Sequence, residues 1–274
     1  MNFTRAVIYW LSLITTITCS YSANATDITK PSKPLRIAVA ANFAPVLKKL
    51  LPEFTAKTQI ETQIISSATG TLYLQIKHGA PFDIFLAADS ARPQRLVDEE
   101  LAIATSLQTY AVGELALWSA KQSSLSLESL QTPSRRFAIA NPKTAPYGKA
   151  AKEVLETLKL WHKYQNSLVM GININQTFQQ VRSKAVSSGI VANSQLKLNK
   201  LSGTVIPQSY YQPIKQQLVI LKSSKQQNNA QMFSQFLLTK DIQRLIADYG
   251  YQIIPNNISS KSAIEIPPTG SNDA

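Results

Sequence analysis

The chain has 274 residues, 44% of them hydrophobic, and a formal net charge of +12. That length holds two domains or one large one, and the composition is ordinary for a globular protein. The charge is spread along the chain without aromatic–basic interleaving, which argues for solubility and against a nucleic acid partner.

The N-terminus reads as a targeting segment. Arg5 precedes an apolar run over residues 6–17, and Ala23-Asn24-Ala25 places small residues where a signal peptidase cuts. Residues 1–25 are therefore expected to be a signal peptide cleaved after Ala25, since the apolar run falls short of the roughly 20 residues that span a bilayer. The one cysteine, Cys19, lies inside this segment, and Thr16-Ile17-Thr18 ahead of it makes a poor lipidation signal. The mature chain then has no disulfide, thiolate nucleophile or cysteine metal ligand. Residues 26–34 form a polar linker.

Residues 35–41 are nearly all apolar, with β-branched Ile37 and Val39, and predict a buried strand. Val46, Leu47, Leu50, Leu51 and Phe54 then recur at helical spacing. Asn42 is a favoured residue ahead of a helix, and Pro45 suits a first helical turn. A second strand is predicted over 60–65. It runs into Ser66-Ser67-Ala68-Thr69-Gly70 and a helix over 71–78, which Gly79-Ala80-Pro81 breaks. A third strand over 83–88 and a helix over 92–101 follow. Three β–α units in succession imply a parallel sheet with helices packed on it.

Residues 110–119 read as one longer β run crossing between domains. A second α/β set occupies about 120–215. It has strands over 137–140, 168–170 and 189–192, a loop over 141–148, a helix marked by Ala150, Ala151, Val154, Leu155 and Leu158, and a helix over 174–183. A strand over 218–221 is followed by helices over 230–238 and 241–249, with Thr239 as candidate cap and Gly250 as stop. Residues 255–274, rich in Ser, Asn and Pro, are expected to be a disordered tail.

Four strand-to-helix loops stand out: Ala41-Asn42-Phe43, Ser66 to Gly70, Asn141 to Gly148, and Gly171 to Asn175. In open α/β sheets ligands bind outside the carboxyl ends of the strands, and two facing sheets converge such loops on one cleft. The side chains are Asn, Ser, Thr and Tyr, all neutral donors, with free backbone N–H groups beside them. Lys143 is the only charged residue within the four loops. A site of donors alone suits a fully deprotonated tetrahedral dianion and disfavours phosphate, which carries a proton near neutral pH and needs an acceptor.

Enzyme readings find little support. His78 and His162 make no triad with any serine or cysteine, and no metal-ligand spacing, phosphate loop or dinucleotide fingerprint is present. Asp83 and Asp89 bracket the third strand and form the best carboxylate pair, although capping and turn formation explain them more simply. Trp118 and Trp161 read as packing residues.

At these loops the sequence resembles the periplasmic molybdate/tungstate-binding proteins of ABC importers, from about Leu35 to Pro255. The carriers are Val39-Ala40-Ala41-Asn42-Phe43, Gly79-Ala80-Pro81-Phe82-Asp83 with Ala87-Ala88-Asp89, Tyr110-Ala111-Val112-Gly113 with Leu117-Trp118-Ser119, and Ile139-Ala140-Asn141-Pro142 through Ala145-Pro146-Tyr147-Gly148. The resemblance implies the α/β, two-lobed type II periplasmic-binding-protein fold, each lobe a mostly parallel sheet flanked by helices, with two crossover segments. On that basis lobe 1 is 35–115 with 218–254, and lobe 2 is 116–217. Carried over by position, it puts oxyanion contacts at Asn42, Thr69, Tyr147 and the backbone of Ile174, with Ala41 a further contact position that lacks the hydroxyl of some relatives. Ala68 departs from a Gly or Ser, Asn175 is larger than the usual residue, and residues 179–189 differ from the relatives' more regular stretch. Ala192 stands where one branch of the family has its ligand tyrosine; another branch supplies the phenol from the Pro-Tyr-Gly loop, here Tyr147.

The implied protein is an exported, periplasmic solute-binding monomer without cofactor or catalysis. It captures molybdate or tungstate and delivers it to an ABC transporter permease. Sulfate or another oxyanion, a sensor without transport, and an enzyme on the same fold using the Asp83/Asp89 region are the alternatives.

Overall fold

The computed structural model describes residues 33–121, 125–133, 135–252 and 254. The predicted signal peptide, most of the linker and the predicted tail lie outside them. Chain order begins with β1 (Leu35–Ala40), α1 (Ala44–Thr58), β2 (Thr62–Ser67), α2 (Thr69–Lys77), β3 (Ile84–Leu86) and α3 (Ala91–Asp98). Next come β4 (Gln108–Gly113), β5 (Leu115–Trp118), β6 (Phe137–Ala140), α4 (Pro146–Thr157), α5 (Trp161–Tyr164), β7 (Leu168–Gly171) and α6 (Ile174–Arg182). The remainder is β8 (Ser188–Ala192), α7 (Asn193–Leu198), β9 (Thr204–Val205), β10 (Ile214–Ile220), α8 (Gln227–Leu237) and α9 (Lys240–Asp248).

Two five-stranded sheets result, ordered β2-β1-β3-β10-β4 and β7-β6-β8-β5-β9. Strands β1, β2 and β3 are mutually parallel, and β10 runs antiparallel to both β3 and β4. The second sheet repeats the plan: β6 is parallel to β7 and β8, and β5 is antiparallel to β8 and β9. The two sheets are mostly parallel and carry helices, the two-lobed α/β architecture expected from the sequence.

The chain passes between the sheets twice. The β run expected over 110–119 is broken at Glu114, so β4 lies in one sheet and β5 in the other. The return passes between β9 and β10. The final strand is longer than predicted, because Ile214, Gln216, Leu218 and Ile220 turn inward while Lys215 stays exposed. A polar residue on the inward face hides that strand's start from a search for apolar runs.

Each sheet has its own core. Val39, Leu47, Phe54, Leu218, Phe233 and Ile246 pack β1 and β10 against α1, α8 and α9, with Phe54 edge-on to Phe233 at 5.3 Å. In the second lobe Ile139, Tyr147, Val154, Leu155 and Ile190 pack β6 and β8 against α4. On its opposite face Trp118 stacks on Phe178 at 5.1 Å. Gly250, with φ of +86°, ends α9 as expected. Thr239 does stand at its cap position, but its hydroxyl turns back to the Phe236 carbonyl. No helix among the described residues is long and apolar enough to cross a membrane.

Candidate functional site

The β1–α1 loop and the first turns of α2, α4 and α6 meet around one small cavity lined by Ala40, Ala41, Asn42, Ala68, Thr69, Ala88, Ala145, Pro146, Tyr147, Asn173 and Ile174. Its volume is about 10 Å3, close to the room one water needs. Asn42, Thr69, Tyr147, Ile174 and Ala41, the five positions singled out from sequence, all border it. Ala192 does not. No charged side chain lines the cavity, and no cluster of metal-ligating side chains occurs among the described residues.

Two of these residues act differently from a simple reading of their type. Asn42 is not a helix cap: the cap position of α1 is Phe43, without a side-chain bond. Instead the buried Asn42 amide donates to Gln216 Oε1 at 2.9 Å and to Tyr251 Oη at 3.2 Å. Tyr147 is not in a loop: α4 begins at Pro146, so Tyr147 lies in its first turn with its ring buried. Likewise α2 starts at Thr69, two residues earlier than predicted.

The hydroxyls are poised as donors. Thr69 Oγ1 accepts the Ala88 N–H at 3.1 Å, and Tyr147 Oη accepts from Gln216 Nε2 at 3.1 Å. Each oxygen thus has a lone pair engaged by the protein and keeps a proton to donate, with Tyr251 standing within reach of the Tyr147 hydroxyl. Burial pushes the Tyr147 phenol well up, helped by the neighbouring Tyr251, Tyr110 and Tyr211 and opposed by the bond from Gln216. Burial likewise raises Tyr110 and takes Tyr251 up to about 12. All three phenols are protonated at neutral pH. The backbone N–H groups of Asn42, Thr69, Tyr147 and Ile174 have no protein acceptor among the described residues. For the last three this follows from their place in the first turn of a helix, where no preceding turn supplies a carbonyl.

Local chemistry sets each helix start. Pro146 occupies the first position of α4, where a missing N–H costs nothing. Gly148 lets that turn close on β6, since a Cβ there would lie 2.2 Å from the Ala140 oxygen. Asn173 caps α6 by accepting the Gln176 N–H at 3.0 Å, and Gln176 Oε1 accepts the Ile172 N–H at 2.6 Å. Buried Gln195 fastens the same turn from α7, donating to the Ile174 carbonyl and to Asn175 Oδ1.

Three hydrogen bonds join the lobes around the cavity. Gly70 N–H donates to the Thr144 oxygen at 2.9 Å, Arg92 to the Lys143 oxygen at 3.2 Å, and Gln216 to Tyr147. Lys143 thus contributes its carbonyl, and its side chain is exposed. Arg92 also pairs with Asp89. The carboxylate pair raised as an enzyme alternative is dispersed. Asp83 accepts the Arg36 N–H at 2.7 Å and the Ser224 hydroxyl at 2.6 Å, at the opposite end of β3 from Asp89. Both carboxylates are committed to structure.

Sequence reasoning missed Gln216, Tyr110, Tyr251, Gln195 and Gly113. One signal was available for Gln216, a lone amide on the inward face of an alternating strand. Nothing local gives the other four a role at the site, because their partners are distant in sequence, although Tyr110 and Gly113 fall within a stretch that carries the family resemblance.

Residues 35–252 match the family model described as "Bacterial extracellular solute-binding protein". The chain belongs to that family. It is 39% identical over 218 residues to the molybdate-binding protein ModA of Rhodobacter capsulatus, covering 78% of this chain and 86% of that protein. It is also 39% identical over 224 residues to ModA of Azotobacter vinelandii, covering 79% and 89%. The solved periplasmic molybdate-binding protein of Azotobacter vinelandii superposes with a TM-score of 0.77 at 34% identity, over 80% of this chain and 99% of that one.

Proposed function

We propose that this protein captures a tetrahedral oxyanion dianion, molybdate or tungstate, and delivers it to an ABC transporter permease. The observation that carries the reading is the convergence of four strand-to-helix junctions, three of them helix first turns, on one cavity that holds donors and no charged side chain. Helix N-termini and fixed neutral donors offset anionic charge without a counter-ion. On this reading Thr69 and Tyr147 give hydroxyl protons, Asn42 and Ile174 give backbone N–H groups, and Ala41 lines the wall. The names of the relatives support molybdate as the ligand. The protein acts as a periplasmic monomer after loss of residues 1–25, with one lobe on each sheet; the boundaries expected at 115/116 and 217/218 are drawn instead at Glu114 and ahead of β10, so that Gln216 belongs to the first lobe.

A cavity of about 10 Å3 is too small for a tetrahedral anion, so entry requires the lobes to part and reclose. The bonds from Gly70 and Arg92 to the 143–144 carbonyls are the contacts that such a motion breaks first. Sulfate is the second reading, because it too is a fully deprotonated tetrahedral dianion that suits a cavity with no charged side chain.

Calorimetry of the mature chain with molybdate, tungstate, sulfate and phosphate tests the reading. One site per chain is expected for molybdate or tungstate, with phosphate much weaker at neutral pH because no carboxylate accepts its proton. Phosphate binding as tightly as molybdate would sink the donor-only argument, and sulfate binding more tightly than both would replace the proposed ligand.

A further inference from the structure

We propose that Gln216 is a positioning residue that sets the hydrogen-bond polarity of the site. It fixes the Tyr147 hydroxyl as a donor and thereby selects fully deprotonated oxyanions. The inference rests on the oxyanion reading above and deepens it. Gln216 does not line the cavity; it stands behind it on β10, fully buried.

Its two ends have different partners. Oε1 accepts from Asn42 Nδ2 at 2.9 Å and lies 3.0 Å from Tyr110 Oη, which shares its one proton between Gln216 Oε1 and the Ala87 oxygen. Nε2 donates to Tyr147 Oη at 3.1 Å. An amide nitrogen can only donate, so the phenol must accept there and keeps its own proton for another acceptor, Tyr251 beside it or a ligand oxygen. The arrangement joins the lobes: Asn42 and Tyr110 belong to the first sheet's half of the site and Tyr147 to the second.

Two backbone features are built around this bond. The β10–β4 ladder slips between Gln216 and Gln217, pairing Gln216 with Ala111 and Gln217 with Thr109. Tyr110 becomes the extra residue, free to send its ring to Gln216. Gly113 clears the space, since a Cβ there would lie 2.1 Å from Tyr147 Oη and 2.9 Å from Gln216 Nε2.

The selection follows from the polarity. With Tyr147 and Thr69 both held as donors, a ligand oxygen that carries a proton finds no acceptor for it and leaves a donor opposed to a donor. Were the amide reversed, the phenol would spend its proton on Gln216 and present a lone pair, which suits a protonated anion.

The test is a double-mutant cycle read by calorimetry with molybdate, with hydrogen phosphate as the second probe. Tyr147→Phe, Gln216→Met and the double variant are compared with the parent. Gln216→Met is expected to weaken molybdate binding about tenfold in the parent and less than about threefold in the Tyr147→Phe background. A loss of fold would move both backgrounds alike, so the coupling separates positioning from structure. The near-isosteric Gln216→Glu is the second variant: its carboxylate takes the phenolic proton, so molybdate should weaken at least tenfold or so and the preference over phosphate should narrow. Equal losses in both backgrounds, or tighter molybdate binding in Gln216→Met, would overturn the proposal; the latter would mean that the amide had been taking the phenolic proton. Unchanged discrimination in Gln216→Glu would also overturn it. A parent that binds neither probe overturns the oxyanion reading and this inference with it, whereas a binding parent without coupling overturns the role of Gln216 alone.

Discussion

The two halves of the cavity are built in different ways. The first lobe supplies a polar network, in which Asn42, Gln216, Tyr110 and Tyr251 are buried and bonded to one another through residues far apart in sequence. The second lobe supplies helix starts, in which Pro146, Gly148 and Asn173 shape first turns from residues close in sequence. One half is held rigid by side chains that meet only after folding, the other by turn chemistry that any isolated β–α unit could use. The difference teaches where sensitivity should lie. Breaking a buried network leaves unpaired groups in a low dielectric, while weakening a cap costs only a local adjustment.

The largest effect is expected where the halves touch. Gly113→Ala places a Cβ against Tyr147 Oη, so it should lower molybdate affinity by about 100-fold or more and cost about 1–3 kcal/mol of stability. Calorimetry and thermal melting of the same sample read both numbers. Retained affinity would show that the phenol can give way, and that the network is softer than its burial implies.

Tyr147→Phe removes the hydroxyl and keeps the ring. A hydrogen bond to a charged group is worth about 1.5–3 kcal/mol, so affinity should fall roughly 10- to 100-fold. The bond from Gln216 also matters in the empty protein. Its buried Nε2 loses an acceptor, which costs about 1–3 kcal/mol, so the melting point should fall as well. An unchanged affinity would leave the second lobe to backbone amides such as that of Ile174.

Asn173→Ala tests the second half alone. Loss of the cap on α6 should cost about 1 kcal/mol and weaken anion binding only a few-fold, through a less ordered Ile174 N–H. A loss as large as that of Tyr147→Phe would make the two halves equally rigid and remove the contrast.

The smallest effect concerns pH. No titratable group lining the cavity changes charge between about pH 6 and 9, because the Tyr147 phenol is raised above its ordinary value. Molybdate affinity should be flat across that window. Stability has a sign: phenols raised on folding contribute stability that is complete below about pH 10, where the unfolded tyrosines are protonated. It is lost as pH rises through the folded values, about 12 for Tyr251 and Tyr164. Chemical denaturation at a series of pH values checks this, and stability rising above pH 10 would contradict it.

The β–α units are written locally in the chain. Apolar strands running into Asn42 and Pro45, Ser66 to Gly70, Asn141 to Gly148 and Gly171 to Asn175 mark β–α junctions locally, because a strand's burial and a helix's start depend on neighbours only a few positions away. Four junctions rich in neutral donors were therefore legible, and the family resemblance singled out within them five of the eleven residues that line the cavity. How those donors are aimed depends on packing between distant segments. Asn42 turns its amide to Gln216, 174 positions later in the chain, and Tyr110 reaches the same amide because a bulge frees it from its ladder. Gly113 has no local reason to be glycine, and its cause is the hydroxyl of Tyr147 from the other lobe. A hydrogen bond's direction depends on every partner of both groups, and those partners come together only when the two lobes have packed.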